Sequence, residues 1–343
     1  MKKLFLIVLA VLLVAGFMSC KKKEAEPEEE VAAEVEKEPI KVGLVTDVGK
    51  VDDKTFNQFA YEGMMKAAEE FGFEANYIET QQPTDYEKNI QTFTEEGYDL
   101  IVTVGFMIQD ATYKMAQQYP DIVFVGVDQA YDPPLDNALG LLFAEDQAGF
   151  VAGALAGMMS DSGVIGFVGG IEIPPVIKYR KGYENGAENV NPDVKVLGVY
   201  IDSFTAPDRG KAAAEAQIAD GADVIFGAGG PTGSGGIVAA MEKEVFGIGV
   251  DQDEYYTTMG GGPAPYLLTS AMKRVDNGVY DGIKAFVEGT FEGGIYMGTV
   301  ANGGIDYAPF HDAADKVPDD VKERLDEIMG KLGDGSLETG VTL

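Results

Sequence analysis

The chain repeats itself once, and that repeat limits its fold more than any other feature. Lys41-Val42-Gly43-Leu44-Val45 returns in character as Val164-Ile165-Gly166-Phe167-Val168, with Gly43 and Gly166 123 positions apart. Tyr61-Glu62-Gly63 answers to Tyr183-Glu184-Asn185-Gly186 at the same 123 (Gly63 to Gly186), and Gly97-Tyr98-Asp99 to Gly221-Ala222-Asp223 at 124. Gly126-Val127-Asp128-Gln129 returns as Gly249-Val250-Asp251-Gln252, again at 123. A solenoid repeats every few tens of residues, so this spacing means two copies of a domain.

Within the first copy, short apolar runs alternate with amphipathic segments. The pattern predicts strands at 41–46, 74–79 and 99–104 and helices at 55–71 and 85–96. Alternation of this kind builds a doubly wound parallel sheet, which binds ligands beyond the carboxyl ends of its strands. Asp47, Gly105 and Asp128 fall at those ends in the first copy, and Gly169, Gly229 and Asp251 in the second. If the copies face each other, both sets line one cleft.

The first forty residues are of a different kind. Lys2 and Lys3 precede an apolar run from Leu4 to Phe17, which has signal-peptide length and is short for a bilayer span. It ends in Phe17-Met18-Ser19-Cys20, which resembles a relaxed bacterial lipobox and holds the only cysteine of the 343 residues. Residues 1–19 are therefore expected to be a lipoprotein signal peptide, with Cys20 the lipidated residue. Residues 20–39, rich in Lys, Glu and Ala and free of aromatics, are expected to be a disordered tether.

Composition removes several function classes. The formal net charge of −31 disfavours nucleic acid, whose phosphates must be met by Lys and Arg, and any polyanionic ligand. One cysteine and one histidine, His311, cannot make a Cys/His zinc site or a disulfide framework. No cofactor and no metal are expected, and His311 is expected in a loop or at the surface. Nucleophilic catalysis lacks its partners. The run Gly227 to Gly236 follows an apolar strand as a phosphate-binding loop would, yet contains no lysine. Its glycines, Gly230 among them, suit a backbone that approaches a ligand closely. Asp128 and Asp251 read as one hydrogen-bond acceptor per copy, as strand-end helix caps, or as a glycosidase-like carboxylate pair.

The segment Gly43-Leu44-Val45-Thr46-Asp47 through Lys54-Thr55-Phe56-Asn57-Gln58 resembles the opening motif of the basic membrane protein family of lipoproteins. Gly105-Phe106, Tyr119-Pro120-Asp121, Gly126-Val127-Asp128, Gly229-Gly230-Pro231-Thr232-Gly233, Gly249-Val250-Asp251 and Ser270-Ala271-Met272-Lys273 follow the same pattern in order. These proteins are the purine-nucleoside-binding subunits of ABC transporters. The resemblance implies an α/β type I periplasmic-binding-protein fold, with two doubly wound parallel-sheet lobes joined by a hinge. The lobes are expected at 40–147 plus about 273–300 and at 148–272 plus about 301–343.

By the same resemblance, Phe56 and Phe204 would sandwich a purine and Asp47 and Asn57 would read its edge. Asp128, Asp251 and Lys273 would hold the ribose. The ligand would be guanosine, inosine or adenosine, and the partners would be permease and ATPase subunits in other chains, outside the cytoplasm at a membrane reached through Cys20. Two other readings stay open: a same-fold binder of a sugar or other small polar ligand, and an extracytoplasmic nucleoside hydrolase or phosphorylase. The second lacks acid/base and phosphate-binding residues.

Overall fold

A computed structural model describes residues 39–342. The expected signal peptide, Cys20 and nearly all of the expected tether lie outside the described residues. In chain order the elements are β1 (Lys41–Thr46), α1 (Phe56–Phe71), β2 (Glu74–Ile78), α2 (Tyr86–Glu95), β3 (Leu100–Val104), α3 (Gln109–Gln118), β4 (Val123–Val127) and β5 (Ala138–Phe143). Next come α4 (Glu145–Met159), β6 (Val164–Gly169), α5 (Pro174–Val190), β7 (Lys195–Tyr200), α6 (Pro207–Ala219), β8 (Val224–Ala228), α7 (Gly230–Glu242) and β9 (Phe246–Asp251). The chain continues with β10 (Leu267–Lys273), α8 (Val275–Val287), β11 (Gly294–Gly298), β12 (Ile305–Tyr307) and α9 (Asp319–Gly333).

The strands form two six-stranded sheets, in the orders β11-β5-β4-β3-β1-β2 and β12-β10-β9-β8-β6-β7. All pairings in the first sheet are parallel, and in the second only β12 runs antiparallel, against β10. The register repeats along with the sequence. Gly43 pairs with Ile101 in the first sheet and Gly166 with Ile225 in the second.

Parallel sheets are covered on both faces, which is why their strands read as apolar runs. In β1, Val42 and Leu44 enter one hydrophobic cluster while Val45 enters another on the opposite face. The helices sort with the sheets: α8 packs on α1, β4 and β5, and α4 packs on α5, β10 and α9. The chain therefore passes between lobes three times, after β5, after β10 and after β11. These crossings are bonded to one another, with Ala144 N donating to Gly298 O (2.8 Å) and Arg274 N to Gly304 O (2.9 Å). Among the described residues, no helix is long and apolar enough to cross a membrane.

Candidate ligand-binding site

The two sheets turn their strand carboxyl ends toward one cavity, and its walls come from both lobes. Asp47, Phe56, Asn57 and Asp128 line it from the first copy, and Phe204, Gly230, Asp251 and Lys273 from the second. All eight candidate residues thus meet in one place. The cavity is a slot with about 630 Å³ of empty space counted to its mouth. Phe56 and Phe204 are both half-buried in its walls.

Local backbone geometry aims the polar groups. Asp128 and Asp251 both sit in the left-handed region, at φ 59° and 66°, where residues other than glycine are uncommon. The strained turn recurs in the two copies, and it ends β4 and β9 so that a carboxylate enters the slot. Such outliers gather at ligand sites, where the surrounding fold holds them. Gly105 (φ 117°) makes room for Asp47: a Cβ there would lie 1.9 Å from Asp47 Oδ2. Gly230 (φ 56°) opens α7 and presents bare backbone to the cavity, as the glycine run suggests.

Asn57 is fixed by its donors. Its Nδ2 bonds to Val48 O (3.1 Å) and to Asp53 Oδ2 (2.9 Å), while Asn57 Oδ1 is buried and accepts no bond from the protein. Asp53 is itself held by the first turn of α1, accepting from the backbone nitrogens of Thr55 (2.9 Å), Asn57 (3.0 Å) and Gln58 (3.1 Å).

The charges are concentrated and dry. Lys273 is 2% exposed, and its Nζ donates to Asp128 Oδ2 at 2.8 Å, Asp128 Oδ1 at 3.0 Å and Glu145 Oε1 at 3.2 Å. The same ammonium lies 4.8 Å from the Phe56 ring centroid. Glu145 also accepts from Lys178 Nζ (3.1 Å), and Tyr179 Oη donates to Asp251 Oδ1 (3.1 Å). Burial pushes Asp47 and Asp251 up to about 7; for Asp251 the Lys273 ammonium pulls the other way. Burial likewise raises Asp128 to about 6, against the pull of Lys273. For Lys273 burial works against the charge, but Asp128, Glu145 and Asp251 outweigh it and hold the ammonium above its ordinary range.

Asp53, Glu145 and Tyr179 are not among the sequence candidates. Asp53 could have been found as a helix-start acid three residues before Phe56. Glu145 follows the apolar β5 and opens α4, so by sequence it reads as an ordinary acidic first turn. Tyr179 gives no signal apart from its place in a helix. His311 lies in the connection between β12 and α9, where it opens a 3₁₀ turn; it is half-buried, pairs with Asp253 at 2.7 Å and stacks on Tyr255 at 4.1 Å. It does not line the cavity.

The family model described as "ABC transporter substrate-binding protein PnrA-like" matches residues 40–327. The chain belongs to this family. It is a substrate-binding protein of ABC transporters and not an enzyme. It is 32% identical to the ABC transporter nucleoside-binding protein BmpA of Lactococcus lactis subsp. cremoris, over 97% of this chain and 99% of that one. It is 33% identical to basic membrane protein A of Borreliella burgdorferi, over 84% and 87%. Its fold is similar to the crystal structure of an ABC transporter solute-binding protein from Aeropyrum pernix K1, with a TM-score of 0.80 at 28% identity, covering 88% of this chain and 93% of that one. The two-lobe α/β periplasmic-binding fold that the resemblance implies is the one observed.

Proposed function

We propose that the family member described here captures a purine nucleoside in the slot between its lobes and delivers it to the permease and ATPase subunits of an ABC transporter. The observation that carries this reading is the pair of half-buried phenylalanines, Phe56 and Phe204, set in the walls of a narrow slot from opposite lobes. A flat neutral heterocycle fills such a space by stacking. Asn57 Oδ1 waits unpaired for a donor such as the N1–H of guanosine or inosine or the N6 amine of adenosine, with Asp47 beside it in the same wall. Asp128, Asp251 and Lys273 then serve the ribose, since carboxylates accept strongly from hydroxyls. The name of the Lactococcus relative agrees with this ligand class.

The lobes in this reading are 40–147 with about 273–300, and 148–272 with about 301–343. The chain works outside the cytoplasm, held to a membrane by a lipid on Cys20. Calorimetric titration with guanosine, inosine, adenosine and ribose tests the ligand assignment. The nucleosides should bind, ribose should not compete, and Phe56→Ala should weaken nucleoside binding at least about tenfold. Ribose binding as tightly as the nucleosides would overturn it.

A further inference from the structure

Both copies end their fourth strand in Gly-Val-Asp-Gln, yet the two glutamines make different bonds. Gln129 stays within its own lobe: its Nε2 donates to Thr103 O (3.2 Å) and Gly105 O (3.0 Å), and its Oε1 accepts from Tyr131 Oη (2.7 Å). Gln252 is equally hidden, at 4% exposure, but its Nε2 donates across the cleft to Thr55 O at 2.9 Å. Thr55 belongs to the first lobe and immediately precedes Phe56. Its carbonyl also accepts the opening helical bond from Phe59 N, at 3.0 Å. Gln252 is not part of the cavity wall.

We propose that Gln252 is a closure latch, a positioning residue that holds the lobes shut by clamping the start of the helix that carries Phe56 and Asn57. A carbonyl has two lone pairs, so Thr55 O serves the helix and the latch together. Separation of the lobes breaks the Gln252–Thr55 bond, whereas every bond of Gln129 survives it. The left-handed turn is common to Asp128 and Asp251, so the two glutamines differ in the partners within their reach and not in the turn that precedes them. Repetition of the sequence thus yields two outcomes: an internal brace in one lobe and a contact between lobes in the other.

The test is pulsed spin-label distance measurement between Gln91 in α2 and Glu188 in α5, both exposed, on a Cys20→Ser background without ligand. Gln252→Leu should raise the open-to-closed ratio by about tenfold, the scale of one lost hydrogen bond, and leave the thermal midpoint in place. Gln252→Met, which keeps the length of the side chain and removes the donor, should shift the distances the same way. Gln129→Leu should leave the distances alone and lower the midpoint. Unchanged distances in both Gln252 variants, or an equal shift in Gln129→Leu, would overturn the latch. The readout uses no nucleoside, so a failed ligand assignment would register separately in the titrations.

Discussion

At the scale of single residues, the slot is built from groups that would be more comfortable elsewhere. Asp47, Asp128 and Asp251 are buried, and burial lifts them to about 7, 6 and 7 from 3.8 in the unfolded chain. A raised carboxyl keeps its proton in the native state at a pH where the unfolded chain has already lost it. Between about pH 4 and about pH 7 the native state therefore binds more protons, and its stability falls as pH rises. Lys273 does not alter the sign, because it is charged in both states throughout that window. Urea unfolding of the ligand-free protein should thus show a lower midpoint at about pH 7.5 than at about pH 5, and Asp251→Asn should flatten part of the slope. A midpoint that climbs across the window would contradict this account. The eight candidates were legible because strand ends can be placed from the repeat and the resemblance supplies the rest. Glu145 was not, since its importance lies in two lysines, Lys178 and Lys273, that stand 33 and 128 residues farther along the chain.

Among elements, the repeat markers prove to be packing devices. A Cβ on Gly63 would lie 2.3 Å from Asp276 O, where α1 meets α8, and one on Gly186 would lie 2.0 Å from Phe150 O, where α5 meets α4. Both glycines let a helix of one copy touch the helix that follows a crossing. The second contact is the denser: Gly149 and Gly153 of α4 face the carbonyls of Tyr179 and Tyr183 at 2.2 and 2.0 Å from their would-be Cβ atoms. This contact sets Glu145 and Tyr179, one on each helix, at their places around the slot. Gly153→Ala should cost about 2 kcal/mol or more in urea unfolding, because backbone must move. Gly330→Ala in α9, exposed and with nothing within 4 Å of the new Cβ, should stabilise by about 0.5–1 kcal/mol. Equal effects from the two changes would refute the packing argument. The predicted strands and helices of the first copy lie within two residues of those observed, because apolar runs and amphipathic stretches are local signals. The α4–α5 contact left no such trace, since α4 is apolar on nearly every face and its partner cannot be named from spacing.

For the whole molecule, charge and attachment decide which ligands reach the transporter. In the proposed reading attachment depends on Cys20, so Cys20→Ser should move the protein from the membrane to the soluble fraction, and retention in the membrane would defeat the lipid anchor. Charge acts on the ligand. The chain carries −31, and the slot itself presents Asp47, Asp53, Asp128 and Asp251 against Lys273. That ammonium is already engaged by Asp128 and Glu145, so a phosphate entering the slot would have to compete with two carboxylates for it. A nucleoside 5′-monophosphate brings up to two negative charges at neutral pH. In a closed cleft of effective dielectric near 20, each like-charge contact at about 4 Å costs several kcal/mol. A neutral nucleoside meets none of this. Guanosine should therefore bind at least about a hundredfold more tightly than its 5′-monophosphate in calorimetric titration at about pH 8.5, where Asp47, Asp128 and Asp251 are all ionised, a gap of roughly 2.7 kcal/mol. Asp251→Ala should weaken guanosine more than free guanine, since the carboxylate is assigned to the sugar. Equal affinity for guanosine and its monophosphate would mean that these carboxylates do not face the ligand.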